Sequence, residues 1–181
     1  FRDKLAMRMR AQEMGIPVPE FLHVLNHKKI NQFADRVPFP YMIKPRLLAG
    51  SYGLKKINDK REMWERINQL GDEQSFFLME RFIPGSIYHV DTIISEREVV
   101  FGLASKYGTP PFEVAHQGRV FTSQTLDSNS DEAKEVLELN TKVIKAIVKK
   151  IANINDLNDM FDEIEGFAPY EFSTKQSSYQ N

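Results

Sequence analysis

Cysteine is absent from the 181 residues, which excludes disulfides, thiolate metal sites and a thiol nucleophile. A basic excess is missing too: Lys plus Arg number 24 against 25 for Asp plus Glu, a formal charge of -1. A general nucleic-acid binder needs that excess to displace counterions from phosphate. No nucleic-acid partner is therefore expected, and any anion must be gripped by a local cluster. No apolar run approaches the roughly 20 residues that cross a bilayer, and no signal-peptide pattern opens the chain. A cytoplasmic location without a membrane partner is expected. No internal repeat is apparent. What remains is a balance of 41% hydrophobic and 27% charged residues, enough to bury a core.

Periodicity and punctuation order the chain into an α+β class with antiparallel sheets and flanking helices. Residues 1–14 read as a helix capped by Asp3, with Leu5, Ala6, Met9 and Met14 toward one side and Gly15 as its stop. Residues 21–25 suggest a short strand and 31–36 a short helix. Tyr41-Met42-Ile43-Lys44 and residues 54–57 form a hairpin with a long tip, because the intervening turn is too short for a helix. Asp59 and Glu62 read as a capping box, opening a helix whose inner face carries Met63, Ile67 and Leu70. Strands are expected at 76–82, 88–94, 99–106 and 119–125, with a loop over 108–118. The longest helix, 130–150, has a buried stripe of Ala133, Val136, Leu137, Asn140, Val143, Ile144 and Ile147. Organisation fades beyond it. The expected division is 1–39 helix and linker, 40–85 and 86–150 two lobes, and 151–181 a weakly organised tail.

Three stretches can carry chemistry. A triphosphate needs backbone N–H groups that approach its oxygens, and a cation aimed at them. Gly50 and Gly53 permit that approach, Ser51 adds a hydroxyl, and Lys44 and Arg46 supply charge from one strand face if extension persists through Pro45. The competing reading of this stretch is a hairpin tip with surface cations. An adenine edge needs an acceptor for its amine and a donor for a ring nitrogen. The strand end Glu80-Arg81-Phe82-Ile83 offers both at Arg81 C=O and Ile83 N–H, with Ile43 and Leu78 as neighbours for the ring. Third, His89 and Asp91 share a strand face and can meet a ribose hydroxyl if Val90 faces the core. No spacing of histidines suggests a metal site.

In order, Arg2-Asp3-Lys4, Gly15-Ile16-Pro17-Val18-Pro19, Pro40 to Arg46 with Gly50-Ser51-Tyr52-Gly53, Met79 to Gly85, and Tyr88 to Asp91 resemble the ATP-grasp superfamily. The likeness is greatest to its carbamoyl-phosphate synthase large-chain and biotin-carboxylase branch, and it covers about residues 1–150. The resemblance implies a two-lobed nucleotide clamp, with 40–85 as lid and 86–150 as an incomplete core. Lys4 and Lys44 would touch the phosphates, and the Gly50 to Gly53 loop would close over them. Glu80, Arg81 and Ile83 would read adenine, and His89 would lie near ribose or the α-phosphate. The implied activity is an ATP-dependent ligation in which a carboxylate becomes an acyl phosphate, ADP is released, and an amine or thiol acceptor displaces phosphate. ATP and Mg²⁺ are the implied cofactors. Two departures stand out. Ile87 occupies the place where many relatives carry a ribose-binding glutamate. Nothing after Lys150 matches the acidic metal-binding strand, since Asp156, Asp159, Asp162, Glu163 and Glu165 read as a solvated helix face. A nucleotide-binding module without catalysis, or a fragment lacking its metal site, is the alternative. Substrates and oligomeric state are not encoded in any motif.

Overall fold

The computed structural model describes residues 2–96 and 98–151. Phe1–Ile147 is one of the two compact units into which the chain divides. The weakly organised tail expected at 151–181, with its five acidic residues from Asp156 to Glu165, lies almost wholly outside the described residues.

Two antiparallel sheets organise the unit. In the first, β1 (Phe21–His23), β2 (Tyr41–Pro45), β3 (Lys55–Ile57) and β4 (Phe77–Arg81) take the order β1-β4-β2-β3. Alternation along each strand sends Tyr41, Ile43, Ile57, Phe77 and Met79 to one face. There they meet Ile30 and Phe33 of α2 (His27–Arg36) and Met63, Ile67 and Leu70 of α3 (Lys60–Leu70) in a single buried cluster. Helix α2 begins a turn earlier than its periodicity suggests, because the Asn26 side chain accepts from the Lys29 N–H at 3.0 Å. At α3, Asp59 accepts from Glu62 N–H at 2.8 Å, while Glu62 reaches back to Asn58 N–H at 2.9 Å, one residue before the expected partner. Residues 21–37 supply a strand and a helix to the sheet and core of 41–79.

The opposite face of this sheet carries Met42, Lys44 and Glu80, and against it lies α1 (Lys4–Glu13). That placement corrects the apolar side read for α1. Leu5 is buried, but Ala6, Met9 and Met14 are exposed, since the positions turned to the sheet are the charged pair Lys4 and Arg8. The i, i+4 spacing is helical as expected; the chemistry of the inner face is not apolar.

The second sheet has the order β5-β6-β7, from Tyr88–Ser95, Glu98–Tyr107 and Ser123–Thr125. Helix α5 (Asp131–Ile151) packs on the face that carries Val90, Thr92 and Gly102. Asn140 donates to Thr92 Oγ1 at 3.0 Å, and a Cβ on Gly102 would stand 3.0 Å from a Leu137 methyl carbon. Glycine is what lets the helix approach. Ala133 is buried as expected, and Ala146, outside the expected stripe, is buried as well. The expected loop 108–118 contains helix α4 (Pro111–Gln117). Pro111 sits at its first position, where a missing N–H costs nothing, and Gly118 at φ 63° closes it. The expected strand 119–125 shrinks to three residues. No helix among the described residues is long and apolar enough to cross a membrane.

Candidate active site

Helix α1 is locked at its N-terminus to the strand that carries Lys44. Asp3 accepts from Leu5 N–H at 2.9 Å, and its carboxylate also pairs with the Arg46 guanidinium, with Nε at 3.1 Å. Burial pushes the Asp3 carboxyl up, yet the Arg46 hydrogen bond and charge outweigh it and hold the pKa below its ordinary value. The backbone N–H of Lys4 donates to Arg46 C=O at 3.0 Å. Its ammonium donates to the carbonyls of Pro45, at 3.1 Å, and Leu48. Burial, and then repulsion from Lys44, pull the Lys4 pKa down.

One helical turn on, Arg8 reaches Glu80 Oε2 at 3.0 Å, while Lys44 pairs with the other oxygen, Oε1. Glu80 sits on the central strand β4 and is only 4% exposed. Burial alone would raise its pKa; the charges of Lys44 and Arg8 overcome that and lower it. A carboxyl with a depressed folded pKa contributes stability that is full above the unfolded value and is lost as pH falls through the folded one. In the window below the ordinary glutamate value of 4.5, Glu80→Gln is therefore expected to flatten the acid limb of stability. Urea midpoints measured down a pH series check this, and an unchanged acid slope would remove Glu80 as its source.

Lys44 and Glu80 line a cleft of about 410 Å³ together with Met42, Ser51, Leu54 and the strand end Arg81 to Gly85. Ile83, just beyond β4, has no backbone acceptor for its N–H among the described residues. Along the tip, Gly50, Ser51 and Gly53 all have positive φ, at 67°, 61° and 72°. A Cβ on Gly53 would come 2.8 Å from Pro45 Cγ, so the glycine serves both the turn and the close approach.

The residues singled out from sequence fall into two groups. Lys4, Lys44 and Glu80 converge on one cluster, and Lys44, Ser51, Glu80, Arg81 and Ile83 line the cleft. Arg46 does not line it, because Asp3 and the Ser75 carbonyl, at 3.1 Å, hold its guanidinium. His89 lies elsewhere, on the face of the second sheet opposite Val90 and Thr92, its ring tilted against Tyr107 with centroids 4.7 Å apart and its Nε2 3.8 Å from Asp91. Ile43 points into the core and Leu78 is fully buried outside the cleft lining, so Met42 and Leu54 take the apolar role assigned to them. Arg8 was missed entirely. Its only sequence signal is the four-residue step from Lys4, which is common on solvated helix faces.

Two cations, Arg8 and Lys44, thus share one carboxylate, Glu80, and a third, Lys4, lies near enough to Lys44 to be repelled by it. The surplus positive charge beside an apolar-walled cleft fits a phosphorylated, ring-bearing ligand such as ATP. Among the described residues no group of three His, Asp or Glu stands together to hold a divalent cation, and Glu80 is already bracketed by two cations.

The L-arginine-specific L-amino acid ligase of Bacillus subtilis is 27% identical over 150 residues, covering 80% of this chain and 36% of that protein. A D-alanine–D-alanine ligase of Thermosipho africanus is 31% identical over 85 residues, 45% of this chain and 23% of its own. By fold, the N5-carboxyaminoimidazole synthetase of Staphylococcus aureus, solved with ADP, superposes with a TM-score of 0.61 at 17% identity, covering 80% of this chain and 37% of its own. The chain therefore spans between 23% and 37% of the length of these proteins. The sequence pattern of the ATP-grasp domain matches residues 1–158, and with that match the chain belongs to the ATP-grasp family.

Proposed function

We propose that this chain is the nucleotide-gripping part of a cytoplasmic, ADP-forming ligase that activates a small carboxylate as an acyl phosphate for attack by an amine or thiol. The observation that carries this reading is the surplus of positive charge from Lys4, Arg8 and Lys44 beside one apolar-walled cleft. When bound, ATP supplies the γ-phosphoryl group that turns the carboxylate into a mixed anhydride. The chain's own contribution is positional and electrostatic. Lys4 and Lys44 neutralise phosphate oxygens, Ser51 and the loop backbone donate to them, and Arg81 C=O and Ile83 N–H read the base. Met42, Leu54 and Phe82 wall the ring from water.

Residues 40–85, extended to include β1 and α2, would act as the lid lobe, and 86–150 as the core lobe. The similarity to amino acid ligases supports an amino acid as the carboxylate. The motifs at 40–53 and 79–91 favour a second reading, within the carbamoyl-phosphate synthase and biotin-carboxylase branch. His89 and a magnesium site would then be completed by chain outside the described residues.

Calorimetric titration of ATP and of adenosine tests the nucleotide site, and phosphate release with a panel of amino acids tests the chemistry. Saturable ATP binding that also raises the melting temperature is expected, because a ligand held only by the folded state stabilises it. ATP binding without phosphate release would leave a non-catalytic nucleotide module. Absence of ATP binding would overturn both readings.

A further inference from the structure

Arg8 touches no wall of the cleft, yet it holds half of the carboxylate that holds Lys44. Glu80 Oε2 lies 3.0 Å from Arg8 Nε, and Oε1 belongs to Lys44. The Glu80 side chain is 6% exposed, against 29% for Arg8 and 20% for Lys44. A carboxylate this buried must keep a cation beside it, since a buried charge left alone is strongly destabilising. With Lys44 as its sole partner, drawing that ammonium onto a phosphate would strand Glu80. We propose that Arg8 is a positioning residue that holds Glu80 while Lys44 turns to an incoming phosphate, so that phosphate affinity depends on a side chain that never meets the nucleotide. This rests on the reading of the cleft as a triphosphate site.

Helix α1 suits the task. Its N-cap Asp3 is fastened to Arg46, and further along Arg10 donates twice to the Ala146 carbonyl of α5, at 3.2 and 3.1 Å. Arg8 lies between these two anchorages. Its guanidinium keeps its charge and offers a planar fork, whereas a lysine presents a single mobile ammonium. When Lys44 moves, the remaining donors of Arg8 can take up the vacated carboxylate oxygen, and no buried acceptor is orphaned.

The test is a cycle of Arg8→Met, Glu80→Gln and the double variant in the 181-residue chain, titrated with ATP and separately with adenosine. In Arg8→Met, Lys44 is held by an otherwise unpaired carboxylate. ATP affinity is expected to fall about tenfold or more, while adenosine, which carries no phosphate, keeps its affinity. Adding Glu80→Gln removes the charge that detains Lys44 and should restore most of the ATP affinity. The double variant also has no buried lone carboxylate, so it remains informative if Arg8→Met fails to fold. Arg8→Lys should recover part of the loss. Unchanged ATP affinity in Arg8→Met overturns the inference. So does a parallel loss of ATP and adenosine, or a loss that Glu80→Gln does not restore, because a merely structural arginine behaves that way. Absence of ATP binding in the unsubstituted chain strikes the reading of the cleft itself, and this inference falls with it.

Discussion

Lys44→Met is expected to lower ATP affinity roughly ten- to hundredfold, the worth of one or two charge-assisted hydrogen bonds to phosphate. Methionine keeps an unbranched apolar stem, so the loss reports the ammonium rather than a cavity. A lysine at an open cleft rim would leave folding untouched. Here, however, Lys44 is half-buried and paired with Glu80, so the same substitution is expected to lower stability by about 1–3 kcal/mol. The loss stays below the roughly 3–5 kcal/mol of a fully stranded buried charge, because Arg8 remains on the other oxygen. Titration calorimetry and urea unfolding, run together, separate the two effects. Pairing Lys44→Met with Glu80→Gln should return the stability and leave the phosphate affinity low. If stability and affinity recovered together, Lys44 would be no phosphate ligand. Adenosine binding should be unaffected by Lys44→Met.

Ile43→Ala is expected to cost about 2–5 kcal/mol, the range for deleting a fully buried branched side chain whose site collapses only in part. Its importance lies in what should not change. Ile43 neighbours Lys44 in sequence, and on a strand that adjacency puts the two on opposite faces. Ile43 packs with Tyr41, Ile57, Met63 and Met79 in the core, whereas Met42 lines the cleft. Adenosine affinity should therefore survive Ile43→Ala at temperatures where the variant is folded, and Met42→Ala should weaken it. Urea midpoints and adenosine titrations of the two variants check the assignment; loss of adenosine binding in folded Ile43→Ala would place the ring on the wrong side of the sheet.

Local chemistry alone determines a good part of this molecule. Asp3 and Asp59 cap helices because their carboxylates satisfy N–H groups that no helix can, and Gly15 closes its helix because a left-handed residue is needed there. Helical spacing marks Met63, Ile67 and Leu70 as an inner stripe, whereas Ile43, expected beside the ring, faces the core. Lys44 and Glu80 stand out in two separate stretches, whereas Lys4 is marked only by the family resemblance. Local periodicity fails where the partner surface is polar: Met9 and Met14 look like core residues, but α1 meets Lys44 and Glu80, so its charged positions face inward. It fails at 108–118 as well, where two prolines suggest a loop and the second begins a helix. Which cations are committed elsewhere is a tertiary matter. By residue type Arg46 suits phosphate as well as Lys44 does, yet Asp3, 43 residues away in the chain, occupies it; Arg8 carries no distinguishing pattern, yet β4 brings Glu80 alongside it. Charge pairing across a fold depends on which strands become neighbours, and strand order follows from the burial of the whole core rather than from any segment of it.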